Sequence, residues 1–243
     1  MSDDILISKM RDVERLCEKY HTPRFSAFLD SREVAIVKSS GIPGMFFGGY
    51  DGAERCMFGV FPDWHEPCGD DFPIDAILIT VKGEGGISHR QYLGTVLSLG
   101  IKREKIGDIL VEDNRAYIFV SSDISEFIRE NIRKIGRNGA SAEFCDKKNI
   151  KLSEKKYKSI AAVCASERLD AVIAGLMNIS RSEAKALIVS GRVTVNHFDV
   201  LKTDFSVQEG DLLSVRGFGR ADVAEIGEKT RSDRIHMTFN KYI

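Results

Sequence analysis

The stretch from Glu167 to Arg220 constrains this chain more than any other, because signals for two short helices, a tight turn and a group of strands follow one another there. Ser180 stands three residues before Glu183, the spacing of a capping box in which hydroxyl and carboxylate each satisfy the other residue's backbone N–H. A helix is expected to start there. Ala184, Leu187 and Ile188 share one face at helical spacing, which turns Arg181, Lys185 and the N-terminal amides toward solvent as a positive site of phosphate size. Gly191 follows as a left-handed helix stop, Arg192 to Val195 alternate as a strand does, and Asn196-His197 makes a turn.

Arg168-Leu169-Asp170, Ser180-Arg181-Ser182 with Ala184 and Lys185, Gly191-Arg192-Val193 with Val195-Asn196, and Gly210-Asp211 with Val215-Arg216-Gly217 together resemble the S4-type RNA-binding domain. The resemblance implies an RNA-contacting face built from the two helices and the turn. It carries over to Arg168, Ser180, Arg181, Ser182, Lys185, Arg192 and Asn196, with Lys202, Arg216 and Arg220 as further candidates.

A chain of 243 residues, 43% hydrophobic and 29% charged, suits two or three soluble units with real cores. It has no apolar run long enough to span a membrane, and MSDDILISKM lacks the pattern of a signal peptide, so a cytoplasmic protein with no membrane partner is expected. Cysteines 17, 56, 68, 145 and 164 show neither a CxxC pair nor zinc-ligand spacing and read as small buried side chains; no metal or cofactor is expected. The net charge of −1 hides an uneven distribution: residues 1–80 carry 8 Lys and Arg against 14 Asp and Glu, and the excess of positive charge lies between 81 and 165.

Leu6, Met10, Val13, Leu16, Cys17 and Tyr20 recur at helical spacing from Asp4 to Tyr20, and Asp30 with Glu33 opens a short second helix. The glycines of GGYDG, from 48 to 52, match no phosphate-binding fingerprint and read as a hairpin or tight connection before an apolar strand at 56–61. Residues 62–73 read as a loop. From 74 to 146 the order is β-α-β-β-α-β, with Asp123 and Glu126 expected to cap a helix reaching about Ile135. The four-stranded sheet of this ferredoxin-like arrangement leaves one face open. Tyr117 and Phe119 lie two apart on its third strand and read either as base-stacking aromatics or as core. Residues 151–165 are expected to tie this unit to the next. Two strands, 222–226 and 234–242, would complete the C-terminal sheet, with Arg231, Arg234 and Lys241 near its basic face.

His89, Arg90, Lys102, Arg103 and Lys105 surround two turns of the middle unit. They read either as a second RNA surface that contacts phosphates or as solvated helix ends. SHRQYLGTVLSLGIKREKIGDIL, with FFGGYDGAER upstream and the S4-type stretch downstream, resembles the YlmH family of bacterial RNA-binding proteins over nearly the whole chain. That resemblance implies a non-enzymatic protein that binds rRNA and tRNA on the large ribosomal subunit and serves in quality control of stalled translation, with Arg168 and Arg181 on the RNA.

The competing reading is an RNA-modifying enzyme that docks through its S4-type domain. Arg168-Leu169-Asp170 superficially matches the catalytic motif of pseudouridine synthases, but Asp170 leads straight into the apolar run Ala171-Val172-Ile173-Ala174 and reads as a helix-start carboxylate. A third reading, compatible with the first, gives the acidic residues 1–80 a protein partner. The expected fold is multidomain α+β: residues 1–73, a ferredoxin-like domain at 74–155 and an S4-type domain at 156–243.

Overall fold

A computed structural model describes residues 3–83, 86–150, 157–229 and 233–243, and the chain divides into two compact units, Met1–Lys151 and Leu152–Ile243.

In the first unit, α1 (Asp3–Tyr20) turns Leu6, Met10 and Cys17 inward and stops at His21, whose φ of 51° is left-handed. Then follow β1 (Arg24–Phe25), α2 (Ser31–Ser39), β2 (Met45–Phe47) and β3 (Met57–Val60), with the strands in the order β1-β3-β2. The capping box expected at α2 is present: Glu33 N–H donates to Asp30 Oδ1 and Asp30 N–H to Glu33 Oε2, each at 2.9 Å.

The chain continues through β4 (Ile74–Val81), α3 (His89–Ser98), β5 (Ile106–Glu112), β6 (Arg115–Ser121), α4 (Ser122–Asn131), β7 (Lys134–Ile135) and β8 (Asn138–Cys145). Their antiparallel sheet has the order β5-β6-β4-β8-β7, the expected β-α-β-β-α-β arrangement with one short strand added at an edge. The second helix of this set differs from expectation. Ser121, not Asp123, is its N-cap, and Asp123 instead accepts from Lys105 Nζ at 2.6 Å. The helix also stops short of Ile135. Ile132 is already extended, and Gly136, at φ 60°, lets the chain reverse so that β7 pairs with β8 while Ile135 is buried.

Alternation along β4 and β6 decides what each face meets. Ile77, Ile79, Val81, Ala116, Ile118 and Val120 join the core beneath the helices. Ile74, Ala76 and Phe119 join a second core with Phe28, Met57 and Phe72, so the N-terminal elements cover much of the face expected to be open. Phe119 is therefore core and unavailable for base stacking: it is fully buried, with its ring 4.9 Å from that of Tyr50. The glycine-rich connection is what brings Tyr50 there. Asp108 of β5 accepts from Tyr50 Oη at 2.8 Å and from the N–H groups of Glu54 and Arg55 at 2.7 and 3.2 Å. This is the hairpin connection expected, and these two of its amides serve a protein carboxylate.

The five cysteines are free thiols. Cys17 and Cys164 are buried as expected, whereas Cys68 is exposed, because it opens the short 3-10 turn Gly69–Asp71 at the surface.

The second unit comprises β9 (Tyr157–Cys164), α5 (Leu169–Met177), α6 (Arg181–Val189), β10 (Val193–Val195), β11 (Phe198–Asp199), β12 (Leu212–Val215), β13 (Gly219–Lys229) and β14 (Ile235–Tyr242). The sheet order is β11-β10-β12-β13-β14-β9. Residues 157–164, expected only to connect, form an edge strand paired with β14 along its whole length; residues 151–156 of that stretch and Arg231 lie outside the described residues. Leu169, Val172, Ile173 and Leu176 of α5, with Ala184 and Ile188 of α6, pack in one core with Val193, Val215, Val223, Met237 and Phe239 of the sheet.

Gly175 sets how closely α5 approaches β9, since a Cβ there would stand 2.6 Å from Cys164 Sγ. Gly175→Ala is expected to destabilise the second unit by about 1–3 kcal/mol through overpacking, read as a lower urea midpoint.

Candidate nucleic-acid interface

Asp170 is the organising group of the C-terminal face. It lies in the first turn of α5 with its side chain fully buried, yet three cations reach it. Arg168 donates through Nε at 3.3 Å and Nη2 at 3.4 Å, Arg181 donates through Nη2 at 3.0 Å, and Lys185 Nζ lies 3.8 Å away. The three cationic side chains are 42%, 47% and 51% exposed, so each touches the carboxylate with one end of its charged group and solvent with the rest. Burial would raise the Asp170 pKa, but the donors and charges of Arg181 and Arg168 outweigh it and hold the carboxyl below the ordinary range. One carboxylate against three cations leaves this four-residue cluster with a net charge of +2.

Local sequence explains why these groups meet. Arg168 is the N-cap of α5, and the next two amides are closed off by the loop that follows β11: Leu169 N–H donates to Phe205 O at 2.8 Å and Asp170 N–H to Thr203 O at 3.0 Å. That contact also places Lys202 beside the start of α5. Arg181 is the first residue of α6, and Lys185 stands one turn further on the same side. The Ser180 hydroxyl is committed to the expected capping box, accepting from Glu183 N–H at 3.2 Å and donating to Glu183 Oε2 at 2.7 Å. Ser182 remains exposed next to Arg181.

A second group lies past the far end of α6, about 14 Å along the helix from Arg181. Gly191, at φ 67°, ends the helix, and Arg192 N–H returns to Leu187 O at 3.1 Å. Arg192, Arg216 and Arg220 line a shallow concavity of about 550 Å³ whose floor includes Gly217 and Gly219. Both glycines have positive φ, 93° and 111°, and their lack of side chains keeps the concavity open. The Arg220 guanidinium lies 5.2 Å from the Tyr242 ring, and Lys241 Nζ stands 3.8 Å above the Phe218 ring.

Asn196 has a different task. Its Nδ2 donates to Asp211 Oδ1 at 2.7 Å while its Oδ1 accepts from Leu212 N–H at 2.9 Å, so the amide ties the turn to β12. Asn196 and His197, at φ 50° and 71°, form the tight hairpin turn anticipated for them.

In the first unit the five residues read as one rim are separated. His89 and Arg90 open α3, whereas Lys102, Arg103 and Lys105 follow its other end, about 15 Å along the axis. Arg103 turns inward to the carbonyls of Ile106 and Gly107, where burial and the neighbouring Arg55 pull its pKa down to about 10. Lys105 is paired with Asp123, and Lys102 lies 3.9 Å from Glu104. Among the described residues, no group of three or more His, Cys, Asp or Glu side chains is placed to hold a metal ion, and no helix is long and apolar enough to cross a membrane.

Residues 167–213 match the S4 domain family, and residues 67–152 match the family described as "Putative RNA-binding domain in YlmH". The chain is 31% identical to the ribosome-associated protein quality control protein P2 of Bacillus subtilis over 242 residues, covering 97% of this chain and 93% of that protein. The chain belongs to the YlmH family. The solved structure of the cell division protein ylmH from Streptococcus pneumoniae shares the fold with a TM-score of 0.54 at 23% identity, over 61% of this chain and 94% of that one. Within this YlmH-family chain, the S4 match takes in the cations around Asp170, Arg192, Asn196 and Lys202, and ends before Arg216 and Arg220. Asp170 is the residue of this candidate site that sequence reasoning undervalued. The only signal was a carboxylate two residues after one candidate arginine, and its burial against Arg181 comes from the packing of α5 on α6.

Proposed function

We propose that this protein binds rRNA and tRNA on the large ribosomal subunit, without chemistry of its own, and acts in the cytoplasm in rescue or quality control of stalled translation. The observation that carries this reading is the Asp170-centred cluster. Arg168, Arg181 and Lys185 are held in place by a buried carboxylate yet keep about half their surface in solvent, which suits phosphates of a folded RNA. The name of the Bacillus subtilis relative supports the ribosomal setting. The same geometry argues against the modifying-enzyme reading, since a buried Asp170 bound by three cations is poorly placed to attack a base. The test is co-sedimentation of the full chain with separated ribosomal subunits at low and moderate salt. Migration with the large subunit is expected; absence from both subunits would return attention to free RNA substrates.

A protein partner for the acidic N-terminal elements is favoured by one feature. Trp64, the only tryptophan, is 70% exposed beside a groove of about 760 Å³ whose lining includes Glu14, Glu18 and Asp63. Exposed aromatic surface beside three carboxylates suits a basic peptide segment. Titrating the full chain with an Arg/Lys-rich peptide is expected to shift Trp64 emission. A flat titration, with the far-ultraviolet spectrum confirming a folded protein, would remove this reading.

A further inference from the structure

We infer that the β7–β8 hairpin and the first turn of α3 form a second RNA-contacting surface, one that binds backbone phosphates through Lys82, His89, Arg90, Arg133, Lys134 and Arg137. The inference rests on the RNA-binding reading above and locates a contact in the other unit of the chain.

Three separate segments converge here. Lys82 N–H donates to Gly139 O and Ala140 N–H to Arg133 O, each at 2.8 Å, which fastens the end of β4 and the residue before β7 to β8. The hairpin tip reaches the start of α3, because a Cβ on Gly136 would stand 3.6 Å from Gln91 Nε2. The Gln91 carboxamide in turn accepts from Ser88 N–H at 2.9 Å, which fixes the helix end that carries His89 and Arg90. Sequence reasoning grouped His89 and Arg90 with Lys102, Arg103 and Lys105; folding groups them with the hairpin instead.

All six side chains are exposed. Among the described residues none of them makes an ion pair, whereas Lys105, Arg129 and Lys148 of the same unit are paired with carboxylates. Their charge is therefore available to an external polyanion. Among the described residues, the apolar side chains that lie between these cations, Ile87, Ile132 and Ile135, are buried and unavailable for insertion into a lipid bilayer. Cations spread over a helix end and an adjoining hairpin suit successive phosphates of an RNA backbone better than one small anion.

The test uses the full chain and a fluorescein-labelled RNA hairpin, with affinity measured across a salt series. Arg133→Gln/Lys134→Gln/Arg137→Gln is expected to weaken binding about tenfold or more at moderate salt and to lower the log–log salt slope by about 2. Arg133→Lys/Arg137→Lys should keep most of both, and the urea midpoint should not move. Arg168→Ala/Arg181→Ala is measured in parallel. If that variant loses affinity while the triple variant matches wild type, the inference is overturned and the C-terminal face stands. If the triple variant loses affinity while the arginine pair matches wild type, the inference holds and the C-terminal assignment fails. Vesicles containing phosphatidylserine provide the remaining arm: binding to them that depends on the hairpin, with RNA affinity unchanged in the triple variant, would overturn the inference in favour of a membrane surface.

Discussion

Asp170→Ala is expected to cost the C-terminal unit about 2–4 kcal/mol and to weaken RNA binding in the same protein. Removing one partner of a buried ion pair costs about 3–5 kcal/mol; the lower range allows for the partial solvent exposure of the three cations left behind. The binding effect separates two explanations. If charge count alone set affinity, losing a carboxylate from a cationic face would strengthen RNA binding. If the carboxylate holds the guanidinium groups in register, its loss weakens binding, and Asp170→Asn, which keeps the shape, should weaken it too. Urea unfolding and a salt series on RNA read the two effects separately. The pH dependence follows from the lowered folded-state pKa. The stability contributed by Asp170 is fully present above its unfolded pKa, about 3.9, and is lost as pH falls through the lower folded value. Acid unfolding of Asp170→Asn should lack that component, and an identical acid limb in wild type and variant would contradict the role given to Asp170.

Arg168→Ala and Arg181→Ala are each expected to weaken RNA binding by about 1–3 kcal/mol and to reduce the salt slope by about 1. A phosphate contact carries no sequence information, so the loss should be similar across unrelated RNA sequences. The pair should not be additive. Both guanidinium groups share Asp170, and removing either frees the carboxylate to draw the other cations inward, away from RNA. The double variant in co-sedimentation is therefore the most sensitive form of the experiment. Unchanged affinity and unchanged slope in that variant would remove the site assignment.

The extent of what could be read from sequence follows from the range of the interactions involved. The capping boxes at Asp30 and Ser180, the left-handed stop at Gly191 and the Asn196-His197 turn are set by residues within four positions of one another, and each forms as expected. The β-α-β-β-α-β order is likewise set by local periodicity. The end of α4 differs from expectation because the strand that replaces its last turn, although it pairs with β8 across the short Gly136 turn, is selected by burial of Ile135 in the core of the unit, which depends on residues distant in the chain.

The chain by itself determined most of the helices and strands, the family and most of the candidate cationic residues, since these depend on short-range spacing and residue type. Tertiary structure alone decided which cations lie together. Burial of Asp170 between α5 and α6 gathers Arg168, Arg181 and Lys185, packing of Tyr50 closes over Phe119, and the β7–β8 hairpin brings three arginine and lysine side chains to the start of α3. Apart from Arg168 and Asp170, which are neighbours in sequence, these contacts join residues separated by ten or more positions, and their pairing is set by the cost of leaving a buried carboxylate, aromatic ring or strand edge unpartnered.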